Sequence, residues 1–216
     1  MTAVAQPVPA TASAAPAAAV HPPALRDDLR QIAVWIADGA RVLDLGCGDG
    51  ALMAYLRDTR RAKVYGVEIA DDSVLQCVRQ GLSVIQADLE SGLRMFPDRM
   101  FDTVVLSQTL QAMHETEAVL REMARVGRQG IVSFPNFGHW RHLMSLIGGR
   151  MPVSPQMPYQ WYDTPNVHLC TPKDFEILAA RLGLAITARA LLANGQPVNV
   201  LPSLRCKLAV YRFEPR

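Results

Sequence analysis

A chain of 216 residues, half of them hydrophobic and 19% charged, has the length of one α/β-sized domain with a substantial core. Its formal net charge of +2 gives no broad basic footprint for nucleic acid, and no apolar run reaches the roughly 18 residues needed to span a bilayer. The cysteines Cys47, Cys77, Cys170 and Cys206 form no CxxC pair, which removes zinc-knuckle and thioredoxin-type readings and fits reduced thiols in a cytoplasmic protein.

Residues 1–24 are almost entirely Ala, Pro, Val, Thr and Ser, with no Lys or Arg. They read as a disordered tail rather than a secretory signal. Residues 25–216 read as one domain. Leu25 to Ala37 has mainly helical spacing, stopped by Asp38-Gly39. Arg41–Leu45 reads as the first strand and Ala51 to Thr59 as a helix. Arg57, Arg60, Arg61 and Lys63 then fit a solvated helix end. Lys63–Glu68 is the second strand, ending in an acid. Asp71, Asp72 and Ser73 start a helix that Gly81 closes. Leu82–Gln86 is a third strand, leading into Ala87-Asp88-Leu89. Phe101–Leu106 is a fourth, running into Ser107-Gln108. Glu115 to Arg125 is a helix, and Gln129–Phe134 a fifth strand stopped by Pro135. This alternation predicts parallel strands with right-handed crossovers, and their near-continuous apolar character predicts burial on both faces.

Residues 148–170 break the rhythm. Prolines and glycines disfavour regular structure there, yet Met151, Met157, Tyr159, Trp161 and Tyr162 are large and apolar. Such a segment is expected to be a packed cap or an interaction loop. Thr171 then suits an N-cap, Pro172 the first helical position and Asp174 a capping-box acid, and Gly183 ends that helix. Leu184–Leu191 and Cys206–Phe213 read as two last strands. The expected fold is therefore a Rossmann-like, mostly parallel seven-stranded sheet with an antiparallel edge strand and helices on both faces.

The chemistry concentrates at Val42-Leu43-Asp44-Leu45-Gly46-Cys47-Gly48-Asp49-Gly50. Strand, glycine turn and helix in that order form the ligand-binding corner of a doubly wound sheet. Gly46, Gly48 and Ala51 also satisfy the dinucleotide pattern, with Glu68 near the place of its ribose-binding acid. The charges argue against a pyrophosphate, because Asp44 and Asp49 would meet it at a cost on the order of several kcal/mol. A ligand with a sulfonium and an amine, such as S-adenosylmethionine (SAM), gains from the same carboxylates. Glu68 at the second strand tip can accept from ribose hydroxyls, and Asp88 at the third from the adenine amino group. Ser107 and Gln108 at the fourth can line the pocket edge. With the neighbouring Ile69 and Leu89, the candidate cofactor residues are Asp44, Gly46, Cys47, Gly48, Glu68, Ile69, Asp88, Leu89, Ser107 and Gln108. Cys47 reads as a small residue fitting the turn, with nothing nearby to activate it.

The corner Asp44–Gly50 resembles motif I of class I SAM-dependent methyltransferases. Across residues 25–216 the chain more narrowly resembles the methionine-biosynthesis MetW family. The narrower features are Val104 through Gln111, Phe134-Pro135-Asn136-Phe137-Gly138-His139-Trp140, and Pro158-Tyr159-Gln160-Trp161-Tyr162 through His168. The resemblance implies a methyltransferase fold, SAM or S-adenosylhomocysteine (SAH) as ligand, and a homoserine O-acyltransferase of the MetX type as partner in forming O-acetyl- or O-succinylhomoserine.

Methyl transfer itself has thin support. The fourth strand ends in neither an Asn/Asp-Pro-Pro-aromatic motif nor a Pro-Cys nucleophile, and no metal-ligand set is evident. His139, His168, Tyr159 and Tyr162 are the acid–base candidates, although lone His and Tyr residues beside Trp140 and Trp161 are more often packed, hydrogen-bonded structural groups. Three readings stand: a SAM-binding partner or regulator of an acyltransferase, a small-molecule methyltransferase whose 148–170 segment encloses substrate, and a structural subunit with a vestigial pocket.

Overall fold

The alternating elements close into one mixed sheet of eight strands in the order β3-β2-β1-β4-β5-β8-β6-β7, described for residues 25–216 by a computed structural model. The segment 1–24, read as a tail, lies outside the described residues. Strands β1 (Arg41–Leu45), β2 (Lys63–Glu68), β3 (Ser83–Gln86), β4 (Phe101–Ser107) and β5 (Gly127–Pro135) are mutually parallel. β8 (Leu208–Pro215) runs antiparallel between β5 and β6 (Leu184–Ala193). Among the described residues no helix is long and apolar enough to cross a membrane.

The strands are apolar on both faces because each face meets its own core. Successive side chains alternate across a sheet. Leu43, Leu45, Val104, Leu106, Val132 and Phe134 face the core under α5 (Thr116–Val126) and α7 (Pro172–Arg181). Val42, Val105 and Ile131 face the other, under α1 (Asp27–Trp35) and α2 (Ala51–Arg60). The same alternation puts the polar Asp44 and Ser133 on the α1 side, where Ser133 Oγ donates to buried Asp28 at 2.8 Å. The Thr171 cap forms as its residue type predicts: its hydroxyl accepts the Asp174 N–H and donates to the Asp174 carboxylate.

Two elements correct the sequence reading. The sheet has eight strands instead of seven, because the chain after β6 doubles back through Asn194-Gly195, both at positive φ, to pair the two-residue β7 (Gln196–Pro197) with Leu192 and Ala193. A helix also forms at Trp140–Ile147 (α6), between the fifth strand and the 148–170 segment. It exposes Trp140, Leu143, Met144, Leu146 and Ile147 and buries His142, the reverse of the usual packing of an amphipathic helix. Residues 148–170 then contain only an isolated Ser154–Met157 bridge and leave Trp161 and Tyr162 about 70% exposed (71% and 69%).

Candidate functional site

The glycine corner is a turn that only small, flexible residues can make. Gly46 sits at φ +65°, and its N–H donates to Val67 O at 2.8 Å, so the chain leaves β1 bent against the tip of β2. A Cβ at Gly46 would lie 2.9 Å from Thr109 Oγ1. Gly48 needs its φ of +55° for the second half of the turn, and a Cβ there would meet open space. Asp49 Oδ1 then accepts the Ala51 N–H at 3.1 Å, so the start of α2 is capped by the protein's own carboxylate. The N-terminus that a dinucleotide would use for pyrophosphate already holds a negative charge.

Glu68 organises this corner. Its Oε2 accepts the Gly48 N–H at 2.9 Å, and its Oε1 accepts the N–H groups of Ile69 and Ala70 at 2.9 and 3.0 Å. A carboxylate has about four acceptor positions, so three backbone bonds leave about one for anything else. The Glu68 carboxylate is therefore the clamp that sets the loop.

A cleft of about 330 Å³ opens above the strand tips, lined by Gly46, Glu68, Ile69, Asp88 and Leu89 among the candidate residues. Asp88 also caps α4 (Leu89–Gly92), accepting the Glu90 N–H at 3.0 Å. Ile69 is a largely exposed apolar side chain at the rim. Residues missed from the sequence complete the wall: Glu90, Thr109, Met113 and His114. Glu90 Oε1 accepts the N–H groups of His114 and Glu115, tying the loop after β4 to α4.

Other candidates stand apart. The Cys47 thiol packs behind the turn with Met53, Cys77 and Leu82, and burial pushes its pKa up, so it is an inert filler. Ser107 and Gln108 do not line the cleft. Ser107 Oγ accepts from Arg26 at 3.3 Å, and the Gln108 N–H donates to Ser133 O at 2.8 Å. The tip of β4 presents Thr109 instead.

Asp44 is the unsatisfied acid. It is 1% exposed, and its Oδ1 is buried without a hydrogen-bond partner among the described residues. Burial raises its pKa to about 7, Arg26 opposes that rise, and Glu68 and Asp28 add to it. Arg26 is committed to Asp28 at 3.2 Å and to Ser107. A buried carboxylate without a donor is costly, and a ligand ammonium or sulfonium would supply the missing partner.

The comparisons with known proteins agree with this geometry. Residues 26–213 match the family profile described as methionine biosynthesis protein MetW. The chain belongs to the MetW family. A relative from Rhodopirellula baltica, named bifunctional methionine biosynthesis protein MetXA/MetW, is 39% identical over 204 residues; the match covers 88% of this chain and 33% of that protein. The chain thus spans about a third of that relative's length. A fatty-acid O-methyltransferase of Mycolicibacterium smegmatis is 35% identical over 98 residues, covering 43% of this chain and 35% of that protein. Among solved structures, a SAM-dependent methyltransferase from Archaeoglobus fulgidus has a TM-score of 0.65 at 16% identity, covering 86% of this chain and 90% of that one. A magnesium protoporphyrin IX methyltransferase from Synechocystis PCC 6803 with bound SAH scores 0.62 at 19% identity, covering 87% and 82%. These neighbours fix the fold as that of class I methyltransferases.

This MetW-family chain does not gather its acid–base candidates into one constellation. His139 is the buried N-cap of α6, its Nδ1 accepting the Arg141 N–H at 3.3 Å. Burial and then His142, Lys207 and Arg141 hold its pKa below the usual histidine range. Tyr159 and Tyr162 are exposed. His168 lines a second cleft of about 500 Å³ between α5, α7 and the end of the 148–170 segment. That cleft and the glycine cleft meet at His114. Among the described residues no group of three or more His, Cys, Asp or Glu is placed to hold a metal.

Proposed function

We propose that this MetW-family chain binds SAM or SAH in the glycine cleft and acts as a partner and regulator of a homoserine O-acyltransferase. The observation that carries the binding is the orphaned Asp44 carboxylate near the end of β1, buried behind the residues that line the cleft. In this reading Asp44 faces the cationic methionyl end, and Gly46 and Gly48 admit its backbone-close approach. Glu68 offers its remaining acceptor position to the ribose, Asp88 and Leu89 border the adenine, and Ile69 covers its face. Cys47, Ser107 and Gln108 support the walls from behind. The ligand itself would bring an activated methyl group, and nothing in the regulatory reading requires its transfer.

The partnership is supported by the printed name of the Rhodopirellula baltica relative, in which MetXA and MetW share one chain. It is also supported by the exposed apolar face of α6 and the exposed Trp161 and Tyr162. A physical link joins this face to the cleft: Gln111 O accepts the N–H groups of both Val167 and His168 at 2.9 Å, and Gln111 sits in the same loop as Thr109 and His114. A ligand that holds that loop in one position has differential affinity for partner-bound and free states, which is the requirement for regulation.

Size-exclusion chromatography of the chain with a homoserine O-acyltransferase, followed by acyltransferase kinetics with and without SAM, tests the reading. A complex whose activity responds to SAM is the expected result; no complex together with unchanged kinetics refutes it. A second reading, a small-molecule methyltransferase, is favoured by the 500 Å³ cleft adjoining the first at His114. Labelled SAM with a metabolite extract would then yield a labelled product. Calorimetry showing neither SAM nor SAH binding would leave the vestigial-pocket reading.

A further inference from the structure

The motif Phe137-Gly138-His139-Trp140-Arg141-His142 has no role in the glycine cleft, yet it builds a cavity of its own. About 280 Å³ of space lies between the start of α6, residues 152–156 and Lys207, and none of its lining residues borders the glycine cleft. We propose that this cavity binds the oxyanion, a carboxylate or phosphate group, of a small metabolite.

Four observations carry this. First, every ionisable side chain on the wall is a base: His139, Arg141, His142 and Lys207, with no Asp or Glu among the lining residues. Second, two of these bases are built in rather than waving on the surface, since His139 and His142 are 5% and 6% exposed. Third, both rings are locked through Nδ1. His139 Nδ1 accepts the Arg141 N–H, which places the neutral ring's proton on Nε2. His142 Nδ1 lies 3.2 Å from Phe137 O and donates to it. Nε2 of each ring has no hydrogen-bond partner among the described residues, and the ring centroids are 5.5 Å apart. Fourth, Lys207 Nζ is positioned by Asn194 Oδ1 at 2.6 Å, and the eight-residue α6 begins at this wall, adding the positive end of its dipole. An anion there accepts from the His139 Nε2–H, Arg141 and Lys207, and from His142 Nε2 only when that ring carries both protons. The neutral polar lining of Ser154 and Gln156 suits the rest of a small polar molecule.

The test is an NMR titration of the full chain, following the histidine ring carbons while inorganic phosphate, acetate or chloride is added at constant ionic strength. Saturable shifts of His139 and His142 with phosphate or acetate, absent with chloride, are expected, with at least fivefold weaker binding in Lys207→Gln. Response to phosphate alone assigns a phosphorylated ligand, and response to acetate alone a carboxylate. His139→Asn keeps an N-cap acceptor while removing the ring, and it should weaken binding as strongly. The proposal is overturned if neither anion gives a saturable shift, if chloride matches them, or if Lys207→Gln binds as tightly as the parent. SAH calorimetry on the same variants separates this cavity from the glycine cleft, because their SAH affinity should be unchanged.

Discussion

The tips of β1, β2 and β3 and the α6-to-170 region solve opposite problems. At the strand tips almost every polar group is matched internally: Glu68 takes three backbone N–H groups, Asp49 and Asp88 cap helices, and a single carboxylate, Asp44, is left over. In the α6-to-170 region it is apolar surface that is left over, on Trp140, Ile147, Trp161 and Tyr162. A region whose internal bonds are complete except for one charge is shaped for a small charged ligand. A region with exposed aromatics and little regular structure is shaped for a large surface. The two differ in what each lacks, and substitutions should separate them.

Glu68→Ala is the sharpest break. It strands three N–H donors, so we expect a loss of about 2–4 kcal/mol of stability and at least tenfold weaker SAH binding, read by chemical denaturation and calorimetry. Gly46→Ala comes next. The left-handed backbone and the approach to Thr109 should cost about 1–3 kcal/mol, again with weakened SAH binding. Asp44→Asn should split the two readouts, weakening SAM while raising the stability of the free chain by about 1–2 kcal/mol.

The pH dependence follows from the same carboxyl group. Its pKa in the folded chain, about 7, is above its unfolded value of 3.8, so the folded state binds the proton more tightly. That contribution to stability is full below about pH 4 and is lost as pH rises towards 7. Denaturation midpoints of the parent should therefore fall relative to Asp44→Asn across this window; parallel curves would contradict the assignment. The smallest effect is expected on the other side of the comparison. Trp161→Ala should change stability by less than about 0.5 kcal/mol and leave SAH binding intact, while weakening capture of the acyltransferase.

The strand tips were readable because their information is local. Asp44, Glu68 and Asp88 each end an apolar run, and a doubly wound sheet brings such ends together whatever the intervening helices do. Thr109 and His114 were missed for the converse reason: they lie in a loop whose position depends on Glu90 reaching across from α4. Arg26 was missed because its approach to Ser107 is set by the docking of α1 on the sheet, 81 residues away in sequence. The helix α6 does carry an apolar face in its sequence, but that face is exposed and His142 is buried, the reverse of what core packing leads one to expect. The Asn194-Gly195 hairpin did carry a local signal, but a two-residue strand is too short for alternation to show.

The sheet's two borders restrict how any assembly can form. One border is the four-residue β3; the other is the ten-residue β6, which β7 covers only at Leu192 and Ala193. The β3 border offers only a short row of free backbone donors and acceptors, while β6 keeps residues 184–190 open to an added strand on its outer side. Recognition at the α6 face, which has no such edge, must instead be written in side chains. Swapping the residues of one exposed face should therefore redirect the choice of partner while the backbone scaffold stays as it is.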